Sequence, residues 1–261
     1  MSVQLMRNMW SYRDLCFSLV RRQYQLRYRQ SAAGLIWAIV PPVATLGLAT
    51  LVFHRVAGVE TTRVSYPVFT MSGLVLWAFF ASSLTNGIPS VVGSLPMVTR
   101  FAFPKAVLPL SMVGLAGLDL GVSLALFTVV AYAAGSGPSW TAVFLPILIL
   151  IEVVLVTGLV LLMSAVNMFA RDIKLGVPLL IQAWLFLTPV MYPLNAVPQE
   201  LRSMYLANPM TGLVENAHRI LAYGLTPDWT LLVPSALGAF LAVVLGSWYF
   251  SATESRFADV I

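Results

Sequence analysis

The stretch from Arg13 to Pro42, RDLCFSLVRRQYQLRYRQSAAGLIWAIVPP, decides the fold, because a basic amphipathic segment runs directly into an apolar one. On a helical wheel drawn at ~100° per residue, apolar side chains gather on one arc. They are Leu15, Cys16, Leu19, Val20 and Leu26. The opposite arc carries polar and basic side chains: Ser18, Arg21, Arg22, Gln25 and Arg29. Gln23 and Arg27 intrude on the apolar arc, so the two faces are not perfectly separated.

This pattern predicts an interface helix over residues 12–30, with its apolar face in the acyl boundary and its arginines at anionic headgroups. The alternative is a basic leader that only orients the first membrane span. We favour the interface helix, because a leader does not need a second, apolar face.

Composition indicates a membrane protein. Hydrophobic residues make up 59% and charged residues 10% of the 261 positions, whereas soluble domains carry about 25% charged residues. Several stretches approach the ~20 apolar residues that cross a bilayer core. The net charge of +5 comes from arginines placed as membrane topology requires, so we expect no nucleic-acid partner. The lone Cys16 excludes an internal disulfide framework.

The apolar segments predict an all-α membrane protein with six transmembrane helices. They cover residues 35–53, 67–92, 106–134, 143–170, 175–192 and 230–250. Pro41 and Pro42 weaken the first span, and Pro178 weakens the fifth. In the third span, Gly114, Gly117 and Gly121 have the spacing that allows close helix packing in lipid.

Two connections carry their own predictions. Residues 94–104, interrupted by prolines, are predicted to be a cytoplasmic, partly helical loop. Residues 194–229 are too polar to span and too apolar for a plain loop, so we predict an extracellular re-entrant hairpin of two short helices. The alternative for this segment is a surface helix resting on the outer leaflet. A short charged tail follows the last span.

Lysine and arginine positions predict the orientation. With a cytoplasmic amino terminus, eleven of these residues lie inside and four outside. Cytoplasmic loops are enriched in positive charge, so we expect both termini in the cytoplasm.

Catalytic and metal-binding motifs are missing from the sequence. It has no glycine-rich phosphate loop followed by Lys-Ser or Lys-Thr. His54, His218 and Cys16 could not form a metal cage, so we expect no metal site, no catalytic residue and no cofactor in this chain. Asp119 and Glu152 lie within spans and could relay protons. We favour a structural role for both, because no basic residue lies mid-span to pair with either.

Four segments resemble the polysaccharide-exporting permeases of the ABC-2 type, in order along almost the whole chain. They are LRYRQSAAGLIWAIVPP (26–42), SLPMVTRFAFPKAVLPL (94–110), NMFARDIKLGVPLLIQAWLFLTPVMYPL (167–194) and YLANPMTGLVENAHRILAYG (205–224). That family includes exporters of O-antigen, capsule and teichoic-acid polymers. The resemblance implies a homodimer in the cytoplasmic (inner) membrane. It also implies two copies of a separate ATPase subunit, which bind the ATP and Mg, and a lipid-linked polysaccharide as cargo.

The resemblance also implies roles for particular residues. Arginines of the interface helix would meet a lipid diphosphate: Arg21, Arg22, Arg27 and Arg29. Residues of the 94–104 loop would couple to the ATPase: Ser94, Met97, Arg100, Phe101 and Phe103. Aromatic side chains would line the path, unless they pack or face lipid: Trp37, Phe69, Trp77, Trp184, Phe186 and Tyr192. Two functional alternatives remain, a proton-coupled secondary transporter or flippase using Asp119 and Glu152, and an intramembrane lipid-modifying enzyme.

Overall fold

The computed structural model of the protein describes residues 12–28, 36–59, 61, 64–101, 103–137 and 139–258. Every regular element in these ranges is helical, which confirms the all-α class. The first six helices are α1 (Arg13–Tyr28), α2 (Ile36–Ala49), α3 (Tyr66–Gly87), α4 (Ser90–Gly93), α5 (Leu95–Arg100) and α6 (Val107–Ala133). The others are α7 (Leu145–Phe169), α8 (Ile173–Phe186), α9 (Gln199–Ala207), α10 (Pro209–Ala217) and α11 (Trp229–Thr253).

Shorter helical turns extend several of these helices. A π-helical stretch, Thr50–Val56, continues α2, and another, His218–Ala222, continues α10. A 3-10 turn, Trp140–Phe144, leads into α7. A last one, Glu254–Ala258, follows α11 and is called the C-terminal turn below.

Five helical stretches in the described ranges have the length and apolar character needed to cross a bilayer. They are Ile39–Val56, Tyr66–Gly87, Val107–Ala133, Trp140–Phe169 and Trp229–Phe257. Helix α8 is apolar but has 14 residues, a rise of ~21 Å against a hydrocarbon core of ~30 Å. The predicted fifth span, 175–192, therefore loses its helix at Phe186. The following TPVMYP contains Pro189 and Pro193, which remove backbone donors and disfavour helix at the preceding residue.

Helix α3 is the centre of the bundle. Of its 22 residues 16 are buried, whereas only 6% of Ile39–Val56 is buried, so α2 lies at the edge of the subunit. Helices α7 and α11 touch backbone to backbone: a Cβ added at Gly158 would overlap the Ala242–Val243 peptide, and one at Gly246 would overlap the Gly158 carbonyl.

The glycines of α6 have different surroundings. A Cβ added at Gly114 would lie 3.1 Å from Cγ2 of Val20, so α1 packs closely there. Gly117 and Gly121 would meet nothing within 4 Å. Within the described subunit, close packing on this stripe is therefore limited to Gly114.

The bundle has two different ends. The α1 end comprises α1, residues 88–106, residues 170–172 and the C-terminal turn. The distal end comprises residues 57–65, 134–139 and 187–228. A hydrophobic cluster at the α1 end joins α1, α5, α7, α11 and the C-terminal turn through Leu19, Val98, Met168, Phe250 and Phe257.

Candidate functional site

Helix α1 packs on α6 with one face and leaves its basic face open. Leu19 is buried, and Val20 lies on Gly114. Arg21 and Arg22 are exposed, whereas Arg27 turns towards α6. Arg29 lies outside the described residues. Of the arginines predicted to act together, the structure therefore sets Arg27 apart.

An ion pair connects α1 to α6. Arg27 Nη1 donates to Asp119 Oδ2 at 2.8 Å. The Ser82 hydroxyl of α3 donates to the same oxygen at 3.3 Å. Asn86 Nδ2 donates to the Ser82 carbonyl at 2.7 Å and to its hydroxyl at 3.2 Å. The basic partner of Asp119 thus comes from α1 rather than from another span, so the lack of a mid-span basic residue does not leave this acid unpaired. The intrusion of Arg27 on the apolar arc was the sequence signal.

A cavity of about 350 Å³ lies beside this pair, between α1, α2, α3 and α8. Its polar lining is Arg27, Thr45, Ser82, Thr85 and Asn86. Its apolar lining includes Trp77, Leu185 and the proline pair Pro41–Pro42. Charge, amide, hydroxyl and aromatic groups thus converge in one small space.

The predicted path-lining aromatics are dispersed. Trp77 lines the cavity beside Arg27, and Trp184 lines another of about 540 Å³ between α8, α9 and α10. Phe186 is 52% exposed. Phe69 is buried and faces no open space. Tyr192 donates its hydroxyl hydrogen bond to the Phe186 carbonyl, and the side chain of Trp37 lies outside the described set.

The 94–104 segment contains the short helix α5, which begins where the Ser94 carbonyl accepts from the Met97 and Val98 amides. Arg100 is exposed, and Phe101 is 63% exposed. Met97 and Phe103 pack against the hydrophobic cluster of the α1 end. The segment is thus anchored by two of its predicted residues and presents two others outward.

The C-terminal turn holds the junction between this segment and α6. Glu254 Oε1 accepts from the backbone N–H of Lys105 at 2.6 Å, and Lys105 Nζ donates to the Glu254 carbonyl at 3.1 Å. Phe257 is fully buried and packs edge-on against Phe250 and Phe169, with ring centroids 5.4 and 6.0 Å apart. Sequence reasoning missed this role by treating these residues as a charged tail.

The non-helical continuation of α8 has its carbonyls bonded by side chains. The Phe186 carbonyl accepts from Tyr192 and Tyr205, and the Leu187 carbonyl from Asn208. The Pro189 carbonyl accepts from His218 at 3.1 Å, and that of Met191 from Tyr66 at 2.8 Å. Asn208 also accepts from Trp184 Nε1 and donates to the Thr188 hydroxyl. These bonds replace the helical ones that the break removes.

His218 is the most enclosed member of this network. Its ring stacks on Phe69 with centroids 4.0 Å apart, and its Nδ1 lies 2.9 Å from the Ser72 hydroxyl. A Cβ at position 73 would lie 2.7 Å from its Cε1, so Gly73 leaves the room for the ring. Burial lowers the pKa of His218 to about 4.

Comparison with known proteins identifies the family. Residues 14–221 match the ABC-2 type transporter family. The chain belongs to the ABC-2 type transporter family. It is 31% identical to the O-antigen export system permease protein RfbA of Myxococcus xanthus, over 99% of this chain and 100% of that protein. It is 26% identical to the protein of that name from Klebsiella pneumoniae over the whole of both. It is 23% identical to the polysialic acid transport protein KpsM of Escherichia coli, over 91% and 92%. The resemblance drawn from four sequence segments is thereby confirmed.

In the residues that the structure describes, no three His, Cys, Asp or Glu side chains converge to hold a metal ion. Glu152 of α7 is fully buried, and within those ranges neither carboxyl oxygen has a hydrogen-bond partner.

Proposed function

We propose that this chain is the permease subunit of an ABC exporter that moves a lipid-linked polysaccharide of the O-antigen type across the cytoplasmic membrane. One observation carries the proposal: the chain matches O-antigen export permeases over its entire length. Its similarity to a polysialic acid transport protein extends the substrate class to capsule-like polymers.

Transport is driven by a separate ATPase subunit, because the sequence contains no phosphate-binding loop of its own. Two copies of that subunit bind ATP and Mg beneath a homodimer of this chain. Arg100 and Phe101 are the exposed residues of the 94–104 segment and are suited to contact it. Met97 and Phe103 would pass the resulting motion to the cluster at the α1 end.

The α1 end faces the cytoplasm, and both termini lie there. Eight of the twelve described lysines and arginines support this orientation by lying at that end, and a ninth, Lys174, lies in the adjoining first turn of α8. Helix α8 with its TPVMYP continuation forms the fifth of six spans, and α1 rests at the cytoplasmic interface. The bonded carbonyls after α8 support a re-entrant segment, because broken backbone at membrane depth must be satisfied by protein. Helix α10 is its embedded arm, whereas α9, without a buried residue, rests at the surface.

The lipid diphosphate of the cargo would meet Arg21, Arg22, Arg27 and Arg29, since guanidinium groups bind phosphate through two parallel hydrogen bonds. ATP binding would press on the 94–104 segment and α1. Helices α2 and α8, both weakened by prolines, would separate across the dimer to open the path.

Reconstitution with the ATPase tests this proposal. Vesicles containing both subunits should transport the lipid-linked glycan with ATP, and an ATPase variant unable to hydrolyse ATP should abolish transport. Replacing Arg100 and Phe101 with alanine should reduce export while the complex still assembles. Movement of cargo against a gradient by this chain alone, without ATP, would contradict the proposal.

A proton-coupled transporter is the second candidate, and the unpartnered carboxyl of Glu152 favours it. Asp119 favours it less, since Arg27 neutralises it. Export should survive the double change Glu152→Gln and Asp119→Asn if ATP drives transport. Loss of transport in that variant, with ATPase activity and assembly intact, would instead support proton coupling.

A further inference from the structure

The Arg27–Asp119 pair occupies a place that suits a charged lipid headgroup. Ser82, which donates to Asp119, lies five residues before the end of α3 at Gly87. At ~1.5 Å per residue, the pair is ~8 Å inside that end of the bundle. This depth lies just beneath the headgroups of a bilayer leaflet. Ionisable side chains are costly there unless they are paired, and they commonly mark a functional site.

The charges of Arg27 and Asp119 neutralise each other, but both side chains remain accessible. The Arg27 side chain is 41% exposed and that of Asp119 is 16% exposed. Arg27 lines the adjoining cavity of about 350 Å³. That volume is at the small end of the range for ligand sites, ~300–1,000 Å³. The space fits a headgroup and a neighbouring sugar, but not a length of polymer.

The Asp119 carboxylate is held from α3 as well as from α1. It receives the Ser82 hydroxyl, and Asn86 in turn donates to that hydroxyl. Arg27 is the next-to-last residue of α1 and reaches Asp119 through a long side chain with several rotatable bonds. If the guanidinium turns to a competing anion, the bond from Ser82 keeps the carboxylate in place.

We propose that Arg27 exchanges Asp119 for a phosphate group of the cargo's lipid-linked end, and that this exchange loosens α1 from α6. The proposal rests on the proposed function and makes Asp119 a competitor of the cargo phosphate for Arg27. A guanidinium binds phosphate through two parallel hydrogen bonds, and a diphosphate carries more charge than one carboxylate. Binding of the cargo in the cavity thereby weakens the contact of α1 with α6 before the ATPase acts.

A second contact between α1 and α6 provides a way to measure this loosening. Val20 Cγ2 lies 3.1 Å from the position of a Cβ at Gly114. Cysteines at both positions, in a Cys16→Ser background, should form a disulfide rapidly in the empty protein. Loosening of α1 should slow that reaction.

The experiment uses the purified full-length chain in phosphatidylcholine nanodiscs without the ATPase. Farnesyl diphosphate is the probe, and its binding and the rate of disulfide formation are measured. The probe should bind and slow the disulfide several-fold, whereas farnesol should do neither. Farnesyl monophosphate should be weaker. Replacing phosphatidylcholine with phosphatidylglycerol distinguishes the sources of phosphate: slowing by that lipid alone would overturn the assignment to cargo.

Charge variants separate exchange from general attraction. Arg27→Gln should weaken probe binding by about tenfold or more and give a slow disulfide with or without probe. Asp119→Asn should remove the competitor, tighten probe binding, and also give a slow disulfide. The control is Arg171→Gln, an exposed arginine in the turn after α7 that does not line the cavity, and it should change neither quantity.

Two results would overturn the exchange. One is a loss of probe binding in Asp119→Asn as large as in Arg27→Gln, which would make the carboxylate a support rather than a competitor. The other is equal weakening in Arg171→Gln and Arg27→Gln. The swap Arg27→Asp with Asp119→Arg tests folding, since it should restore the rapid disulfide but remain insensitive to the probe.

These measurements are independent of export. If wild-type vesicles with the ATPase fail to export any glycan while the probe results hold, the proposed function fails alone. If export succeeds and the disulfide rate ignores the probe, the exchange fails alone.

Discussion

The two ends of the bundle are held together by different chemistry. At the distal end, neutral side chains such as Asn208 and His218 bond to backbone carbonyls left by the break after α8. At the α1 end, charged side chains take part, with Arg27 paired to Asp119 and the Glu254 carboxylate accepting from the Lys105 backbone N–H. The bonds of the fully buried His218 are costly to break singly, because a lone partner is left unsatisfied. The Arg27–Asp119 pair is partly exposed to solvent, so it can exchange partners at smaller cost. We therefore expect the distal end to keep its structure during transport and the contacts of the α1 end to rearrange.

The largest expected effect tests the rigid end. Asn208→Ala removes hydrogen bonds to Trp184, Thr188, Leu187 and the Met210 amide. Leaving several such groups unpaired should lower the free energy of unfolding by about 3 kcal/mol or more. Thermal unfolding in detergent measures it. Asn195→Ala, an exposed asparagine at the same end, is the control. Equal losses in both variants would contradict the claim that the hydrogen bonds of Asn208 hold the distal end together.

Protonation provides a second test of the distal end. Burial holds the pKa of His218 at about 4 in the folded protein, below ~6.5 when unfolded. The unfolded state therefore binds more protons between these values, so stability rises with pH across that window and is constant above it. Lowering the pH from 7 to 5 should cost about 2 kcal/mol. The same pH change applied to His218→Gln should have a smaller effect, and an equal effect would remove His218 as the cause.

A smaller loss of stability is expected at the α1 end. Glu254→Ala removes the acceptor for the Lys105 amide in a partly buried position. It should cost about 1 kcal/mol but sharply reduce the ATPase activity that cargo stimulates. Glu200→Ala, in the first turn of α9, is the matched control and should leave that stimulation intact. Normal stimulation in Glu254→Ala would show that the C-terminal turn is not needed for coupling.

The smallest expected change in stability concerns two glycines of α6. Gly121→Ala should raise stability by up to ~1 kcal/mol, because alanine favours helix and no atom lies within 4 Å. Gly114→Ala should gain less, because Val20 must shift. Chemical unfolding resolves the pair. Chemical crosslinking then measures the yield of dimer. If Gly121→Ala stabilises the subunit but lowers that yield, the second subunit contacts the glycine face of α6.

The sequence predicted the helical class and the order of the apolar segments, because hydrophobic runs and prolines are local signals. The amphipathic pattern also predicted a helix at α1, whose apolar Leu19 is buried. It could not pair Arg27 with Asp119, which are 92 positions apart, since periodicity describes one helix at a time. The helix of the predicted fifth span ends at Phe186, earlier than the apolar pattern indicated, for a related reason. TPVMYP is apolar enough to continue a span, but its prolines and its side-chain partners from α3, α9 and α10 give it another backbone.

The contact between Gly158 and Gly246 has a mechanical consequence. Because no side chain separates the two backbones, α7 and α11 cannot slide or roll against each other without a clash. We therefore expect them to move as one rigid unit. Helix α11 has 25 residues and is ~38 Å long. At its far tip, the Asp228 amide donates to Asn216 of α10 at 2.6 Å. A displacement imposed at Glu254 is therefore transmitted along the joined helices to α10 on the other side of the bundle.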